Sequence, residues 1–284
     1  MQKYKEIDQI MPAPQAHTLE EHRDYLHQIV RLQLFFLHRW LTAHPEESFR
    51  DTIRNRVDIY RKTDANPGPM TPSVCFFDAP AWKSMEDEAE ALFRRFPDDG
   101  SAFENHAFEV FRKSLDARCE RDYLDESSLS AYQCGSLRYE TSLQPDGETV
   151  NFHIANAVAP QSIFSDPDYL KNCFFELMNQ TEHTLGARRI ATSSWLNSHP
   201  RWLALFPQEW HERMEAENRN IQWHYGFWGQ FINARNTFNR KYGQILRETG
   251  EFPFYPRKSS CSIVEMRKFL RGGESSSSAA ASSL

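Results

Sequence analysis

The sequence has few of the features that would place it in a specialised class of protein. Its 284 residues include five cysteines, none in a Cys-x-x-Cys pair. This usage predicts buried or half-buried thiols rather than a disulfide framework or a structural zinc site. No apolar run approaches the roughly 18 residues of a spanning helix, and the N-terminus lacks an apolar signal core. We therefore expect a soluble, cytoplasmic protein that does not enter a membrane.

The chain also lacks an excess of positive charge. Lys and Arg together number 33 against 39 for Asp and Glu, which gives a net charge of -6. A surface basic enough to neutralise many phosphates is therefore not expected. Nucleic acid is therefore not an expected partner. The expected partner is a small-molecule substrate.

Several catalytic and nucleotide-binding motifs are missing as well. The sequence contains no G-x-x-x-x-G-K-[ST] and no G-x-G-x-x-G after a strand, which disfavours ATP-driven and nicotinamide-dependent reactions. The G-x-S-x-G and H-E-x-x-H patterns of common hydrolases are absent too. The sequence alone names no cofactor, no reaction and no oligomeric state.

Residues 1–128 are predicted to form a helical N-terminal region. Thr18-Leu19-Glu20-Glu21 fits a capping box, and apolar residues then recur at helical spacing until His44-Pro45. Further helices are expected at about 46–63, 80–96 and 101–120. Aromatic residues make up 13% of the chain, which suits a core or pocket built from large flat surfaces.

Residues 129–271 are predicted to form a mixed α/β core. Alternating segments at 131–143 and 149–158 flank Pro145-Asp146-Gly147, a pattern typical of a hairpin. A helix should follow Asp166-Pro167 and close at Gly186, and a strand should begin at Arg189. A helix between two extended segments permits a parallel crossover, so the fold class is α+β, with a small mixed sheet.

The remaining segments complete the prediction. Short helices should begin at Pro200 and Pro207, an extended segment should span 221–225, and a long C-terminal helix should run over 228–249. The Gly- and Ser-rich stretch 272–284 offers nothing to bury and is expected to be a disordered tail.

The order of hairpin, helix after Asp166 and strand ending near Trp195 resembles the core of GNAT-type acyltransferases, over about a quarter of the chain. The resemblance implies acyl transfer from coenzyme A. That family holds the pyrophosphate on a glycine-containing loop, whereas this chain has Ala159-Pro160-Gln161-Ser162-Ile163-Phe164 there. Side chains at these positions would crowd the approach of a phosphate to the backbone.

Two candidate substrate-binding residues lie in an aromatic segment, residues 223–236. Trp228 and Gln230 belong to a mixture of aromatic rings, amides and two glycines that suits a pocket wall. The same mixture is also compatible with a tightly packed junction. In the predicted helix Arg235 falls within an apolar stripe, where it would bind either a substrate anion or an internal carboxylate.

Further candidates lie at the ends of the predicted strands. Trp195 and Asn197 leave one strand and Asn156 leaves another, where a polar small molecule could bind. Equally, Ser198 or His199 could cap the helix that follows the first strand, with Asn197 closing a turn. His153 and His224 are the candidate catalytic residues, because imidazole transfers protons near neutral pH. For His153 the alternative is a hydrogen-bonded sheet histidine.

A metal site is the last sequence candidate. His211 and Glu215 are spaced i, i+4 on a predicted helix, with His183 or His224 as a third ligand, but such spacings also arise by chance. No residue is therefore assigned as a metal ligand.

The sequence favours an enzyme of small-molecule metabolism that binds an anionic or acyl-bearing organic substrate, and acyl transfer is one reaction it permits. A His/carboxylate metal enzyme and a non-catalytic partner-binding protein are the alternatives.

Overall fold

The computed structural model describes residues 17–68, 75–123, 132–223 and 225–279. The helices in these ranges are α1 (Leu19–Ala43), α2 (Phe49–Asn55), α3 (Pro80–Arg95), α4 (Gly100–Tyr123), α5 (Pro167–Leu185), α6 (Pro200–Leu203), α7 (Gln208–Glu212), α8 (Tyr225–Trp228), α9 (Arg240–Thr249) and α10 (Ile263–Ala279). The strands are β1 (Leu137–Tyr139), β2 (Thr149–Ile154), β3 (Arg189–Ser194) and β4 (Arg257–Ser262). The fold is α+β, as the sequence predicts.

The predicted N-terminal helix is confirmed in both its start and its end. Thr18 and Glu21 form the capping box, with the Thr18 amide donating to the Glu21 carboxylate at 2.8 Å and the Glu21 amide donating to Thr18 Oγ1 at 3.1 Å. Helix α1 ends at Ala43, before His44-Pro45. Its apolar face is buried and packs mainly against α4. None of the helices in the described ranges combines the length and apolarity needed to cross a membrane.

The second predicted helix is wrong beyond its first two turns. Helix α2 ends at Asn55, and only a 3₁₀ turn at Tyr60–Lys62 follows within the predicted span 46–63. The carbonyl of Asn55 accepts a hydrogen bond from the Trp223 amide at 2.8 Å, and the Arg56 carbonyl accepts one from Trp228 Nε1 at 2.9 Å. Tertiary partners thus take the carbonyls that another helical turn would have used.

The four-stranded sheet has the order β1-β2-β3-β4. β1 pairs antiparallel with β2 as the predicted hairpin, β2 pairs parallel with β3 across the predicted crossover helix α5, and β4 pairs antiparallel with β3. Helix α5 is capped as predicted, by Asp166 at its start and by Gly186 in the left-handed region (φ 66°) at its end. Val150 and Phe152 of β2 are buried against α5 and the segment around α6 and α7, whereas Asn151 and His153 face the opposite side.

The predicted helix over 228–249 is wrong in its first half. After α8 and a 3₁₀ turn at Gly229–Phe231, the chain makes a tight turn before α9 begins at Arg240. The side-chain oxygen of Asn233 accepts hydrogen bonds from the amides of Arg235 and Thr237, and Asn236 adopts the left-handed region with φ 59°. Asparagine tolerates that conformation and supplies such local bonds, so it stops the helix. The predicted extended segment at 221–225 is also wrong, since residues 221–223 form no strand and Tyr225 begins α8.

Strand β4 and helix α10 are not anticipated from the sequence. The segment Arg257–Ser262 contains no apolar residue except Cys261 and shows no hydrophobic alternation, yet it pairs with all six residues of β3. Helix α10 buries Ile263, Met266 and Leu270 against the sheet core and continues to Ala279, into the Gly- and Ser-rich stretch.

Two hydrophobic cores lie in the described residues. One joins α1–α4 with aromatic residues from the segment 221–255, and the other lies between the sheet and helices α5, α6, α7 and α10. Residues 221–255 therefore pack mainly against the helical half of the chain rather than against the sheet.

Unusually, the helical core also contains buried charges. Asp58 is 4% exposed and accepts hydrogen bonds from Arg61 Nε and Lys62 Nζ, both at 2.5 Å. Arg118, also buried, pairs with Asp122 at 2.7 Å and donates to the carbonyls of residues 66 and 68. Burial lowers the pKa of Lys62, and Asp58 opposes this change. The ion pairs among these side chains offset the cost of burying their charges.

Candidate functional site

The described residues contain a cleft between β2 and β3. The two parallel strands pair only over Thr149–Asn151 and Arg189–Ala191, although both continue for three more residues. Beyond this register a cavity of about 250 Å³ is lined by Asn151, Phe152, His153, Thr192, Ser193 and Lys258, which we call the β2–β3 cleft. It lies towards the carboxyl ends of two neighbouring parallel strands, where ligands commonly bind in mixed sheets.

One wall of the cleft carries a histidine oriented by a carboxylate. His153 Nε2 lies 3.3 Å from Glu140 Oε1, and the Asn151 side-chain amide donates to the other Glu140 oxygen at 3.2 Å. Burial and the positive charge of Arg138 lower the pKa of His153, whereas Glu140 opposes them. A lowered pKa leaves the ring mostly neutral at pH 7, as a proton acceptor requires.

The other wall carries a hydroxyl and a cation. Ser193 of β3 is exposed and lies directly opposite Lys258 of β4 in the antiparallel register. Directly opposed side chains in such a pair have Cβ atoms about 4.5–5.5 Å apart. The cleft thus has an imidazole on the β2 side and a hydroxyl and an ammonium group on the side of β3 and β4.

A second cavity is much smaller than the β2–β3 cleft. It is lined by Arg54, Asp58, Arg61, Trp223 and neighbouring residues, and its volume is about 10 Å³. That volume holds about one water molecule. The buried charges around Asp58 are therefore a structural network in this conformation.

Of the sequence candidates that lie among the described residues, His153 alone lines the cleft. Asn156 follows β2, but its amide nitrogen donates to the carbonyls of Gln161 (2.8 Å) and Ala234 (2.9 Å). Trp195 follows β3 and stacks on Phe254 with ring centroids 5.9 Å apart. Both residues sit at the strand ends, with their polar or aromatic groups already in contact with the protein.

Asn197 and Gln230 are fully buried and hold the segment that leads into β4. The Asn197 amide donates to the carbonyls of Thr192 and Arg257, and its oxygen accepts from Trp202 Nε1 at 2.9 Å. Gln230 exchanges hydrogen bonds with both the amide and the carbonyl of Phe254, each at 3.0 Å. Both amides stabilise a packed junction. For Gln230 this is the alternative to a pocket wall that the sequence allowed for residues 223–236.

Trp228 and Arg235 lie away from the cleft. Trp228 is buried in the helical core among Phe36, Phe231 and Phe252. The prediction that Arg235 lies in a buried helical stripe is wrong: it sits in the turn after Ile232, its side chain is 62% exposed, and it pairs with Glu21 at 3.3 Å. An exposed pair of this kind contributes little to stability. His224, the second predicted catalytic residue, lies outside the described residues.

The helix that would present His211 and Glu215 together is also shorter than predicted. Helix α7 ends at Glu212, and the Glu215 amide instead donates to the Lys258 carbonyl at 2.9 Å. Within the described ranges, no group of three or more His, Cys, Asp or Glu side chains has the arrangement of a metal site.

The start of α5 does not fit a coenzyme A pyrophosphate. The Asp166 carboxylate accepts a hydrogen bond from the Asp168 amide at 2.9 Å, and Pro167 between them has no N–H. The first turn therefore presents two carboxylates where a phosphate would need free N–H donors and positive charge. The absence of glycine in residues 159–164 also disfavours binding of a coenzyme A pyrophosphate there.

Sequence reasoning missed the groups that surround His153 in the cleft. Glu140 lies just beyond the short strand β1, and Lys258 belongs to the unanticipated strand β4. The alternation in β2 was the available signal, because it places Asn151 and His153 together on the polar face of the sheet. A scan against protein-family models, a search of curated proteins and a search of solved structures each return no match to this chain.

Proposed function

We propose that this chain is an enzyme of small-molecule metabolism that binds an anionic or acyl-bearing organic substrate in the β2–β3 cleft. The observation that carries the proposal is the pairing of His153 with Glu140 on one wall, facing Ser193 and Lys258 on the other. A histidine held by a carboxylate can accept and return a proton, and the ammonium group of Lys258 attracts negative charge.

The substrate anion is assigned to Lys258 rather than to Arg235. Arg235 is paired with Glu21 on the surface of α1, whereas Lys258 is exposed and lines the cleft. Arg138 adds a second positive charge, since it lies opposite His153 in the β1–β2 register. Lys258 and Arg138 are thus two positive charges near His153 and Ser193, and they favour a substrate with one carboxylate or a polarised carbonyl.

Acyl transfer is the reaction we propose, following the resemblance of the order hairpin, helix and strand in the sequence to the core of GNAT-type acyltransferases. The acidic first turn of α5 separates the proposal from that family in one respect, because it disfavours a diphosphate-bearing acyl donor. We therefore propose a donor without a diphosphate, such as a simple ester or thioester.

A ligand screen with a matched pair of lysine variants tests the proposal. Wild type, Lys258→Ala and Lys241→Ala are screened by thermal shift against small carboxylates and acyl esters. Lys241 is an exposed lysine of α9, away from the sheet. We expect at least one compound to raise the wild-type Tm by about 5 °C at ~100 times its Kd.

The variants distinguish binding in the cleft from binding elsewhere. Lys258→Ala should weaken that compound about 10- to 100-fold, the loss of one charge-assisted hydrogen bond, whereas Lys241→Ala should match wild type. Equal affinity in all three proteins, or no compound that raises the Tm, would contradict the proposal.

A further inference from the structure

We infer that Ser193 is a nucleophile and that the acyl group passes through a covalent acyl-enzyme on its Oγ atom. The inference rests on the proposed function and deepens it, because it names the group that takes the acyl unit. It assigns Ser193, His153 and Glu140 as nucleophile, base and orienting carboxylate.

The strand register places the serine and the histidine in one row. Asn151 and Ala191 are the last residues of β2 and β3 that pair with each other. Two residues further along each parallel strand lie His153 and Ser193, and side chains two apart in a strand share a face. Both residues line the β2–β3 cleft. Because the strands part beyond Asn151 and Ala191, the space in front of both side chains is open to a carbonyl group.

Glu140 holds the histidine in the required orientation. It lies 3.3 Å from His153 Nε2, which leaves Nδ1 as the nitrogen that accepts a proton from the serine. The Asn151 amide fixes Glu140 from the other side. A nucleophile, a base and a third group that orients the base are the parts of an activated serine.

The neighbouring hydroxyls are less exposed than that of Ser193. Thr192 is 3% exposed. Ser194 Oγ accepts a hydrogen bond from the Leu196 amide at 3.2 Å, as the cap of the 3₁₀ turn that follows β3. Ser193 is the exposed member of the three, and Lys258 stands directly opposite it. The ammonium group is thus placed to stabilise the negative charge that develops on the carbonyl oxygen.

The proposed reaction has two steps, uses an acyl donor and an acceptor, and regenerates the enzyme. Ser193 Oγ attacks the carbonyl carbon of an ester or thioester, and His153 takes the hydroxyl proton. The tetrahedral intermediate collapses, the bond to the leaving alcohol or thiol breaks, and His153 returns the proton to that group. An acceptor hydroxyl, amine or water then attacks the acyl-enzyme, His153 removes its proton, and Ser193 recovers it as the acyl group leaves.

A fluorophosphonate probe and intact-protein mass spectrometry test the inference. Ser193 Oγ should displace fluoride from phosphorus and form one adduct per chain, located to Ser193 by peptide mapping. Ser193→Ala should abolish the adduct. Ser260→Ala is the matched control, because Ser260 lies opposite Ala191 on the same face of the sheet but outside the cleft lining, and it should label like wild type.

One further variant separates catalysis from simple exposure. His153→Gln should slow labelling about 10²- to 10⁴-fold, the usual contribution of a general base, with the protein still folded. Labelling of Ser193→Ala at the wild-type rate would overturn the inference. So would the absence of any adduct in wild type. If the thermal-shift ligand still depends on Lys258 in that case, transfer is direct and the proposed function stands; if no ligand binds either, both fail.

Discussion

Replacing Asp58 by Asn is expected to lower the free energy of unfolding by about 3–5 kcal/mol, the usual result of leaving buried charges without their partner. The Asp58 carboxylate accepts hydrogen bonds from Arg61 Nε and Lys62 Nζ, and all three side chains are at most 4% exposed. Since domains are stable by about 5–15 kcal/mol, this is a large fraction of the total. Urea denaturation measures it as a lower midpoint at unchanged slope.

Asp87→Asn is the matched control for this prediction. Asp87 pairs with Arg50 at the same 2.5 Å, but the two side chains are 59% and 44% exposed. Removing an exposed partner should cost less than about 1 kcal/mol. Equal losses for the two variants would show that burial does not determine the effect.

The Asp58 variant should also recover stability as the pH rises. Burial lowers the pKa of Lys62, so between that lowered pKa and the ordinary 10.5 the unfolded chain binds more protons than the folded one, and stability rises with pH. Asp58 opposes this shift, so its loss lowers the pKa of Lys62 further. The gap between variant and wild type should therefore narrow as the pH rises from the Lys62 pKa of the variant to that of the wild type, both below the ordinary 10.5, and a constant gap would contradict this account.

His153→Gln is expected to reduce turnover of the acyl substrate about 10²- to 10⁴-fold, since a general base contributes that much. Its side chain is 44% exposed and outside both cores, so the Tm should change little. His183→Gln, which alters an exposed histidine at the end of α5, is the control and should keep full activity. A similar loss in both variants would remove His153 from the mechanism.

The dependence of activity on pH distinguishes a catalytic His153 from a purely structural one. A base must be neutral, so activity should fall on the acid side at the pKa of His153, below its ordinary 6.5. Arg138→Ala removes a positive neighbour and should raise that midpoint, whereas Glu140→Gln should lower it. Midpoints that do not move in these opposite directions would contradict the assignment.

The elements that the sequence predicts correctly are those with local signals at their ends. Thr18 and Glu21 begin α1, Asp166 and Gly186 bound α5, and each signal acts within one turn of its own helix. The parallel pairing of β2 and β3 follows from the helix between them.

The elements that the sequence misses depend on distant partners. Strand β4 has one apolar residue and is specified by its pairing with β3, some 65 residues earlier in the chain. The aromatic stripe over 228–249 has helical spacing, but Asn233 and Asn236 break it with side-chain bonds that outweigh the periodicity.

The same division explains the candidate site. His153 could be predicted because strand alternation alone puts it on the polar face of β2. Lys258 and Glu140 could not, because they join it only through sheet pairing. The sequence places Arg235 on a buried helical face, but no helix forms there. The side-chain amides of Asn197 and Gln230 instead stabilise the junction, by donating hydrogen bonds to the carbonyls of Arg257 and Phe254.

The most direct test of the binding site is an amide NMR titration of the isotope-labelled protein with the compound found by thermal shift. We predict that the largest shift changes fall on Asn151–His153, Thr192, Ser193 and Lys258. Changes centred on residues 228–236 or on the helical core, with the cleft amides unmoved, would contradict the account.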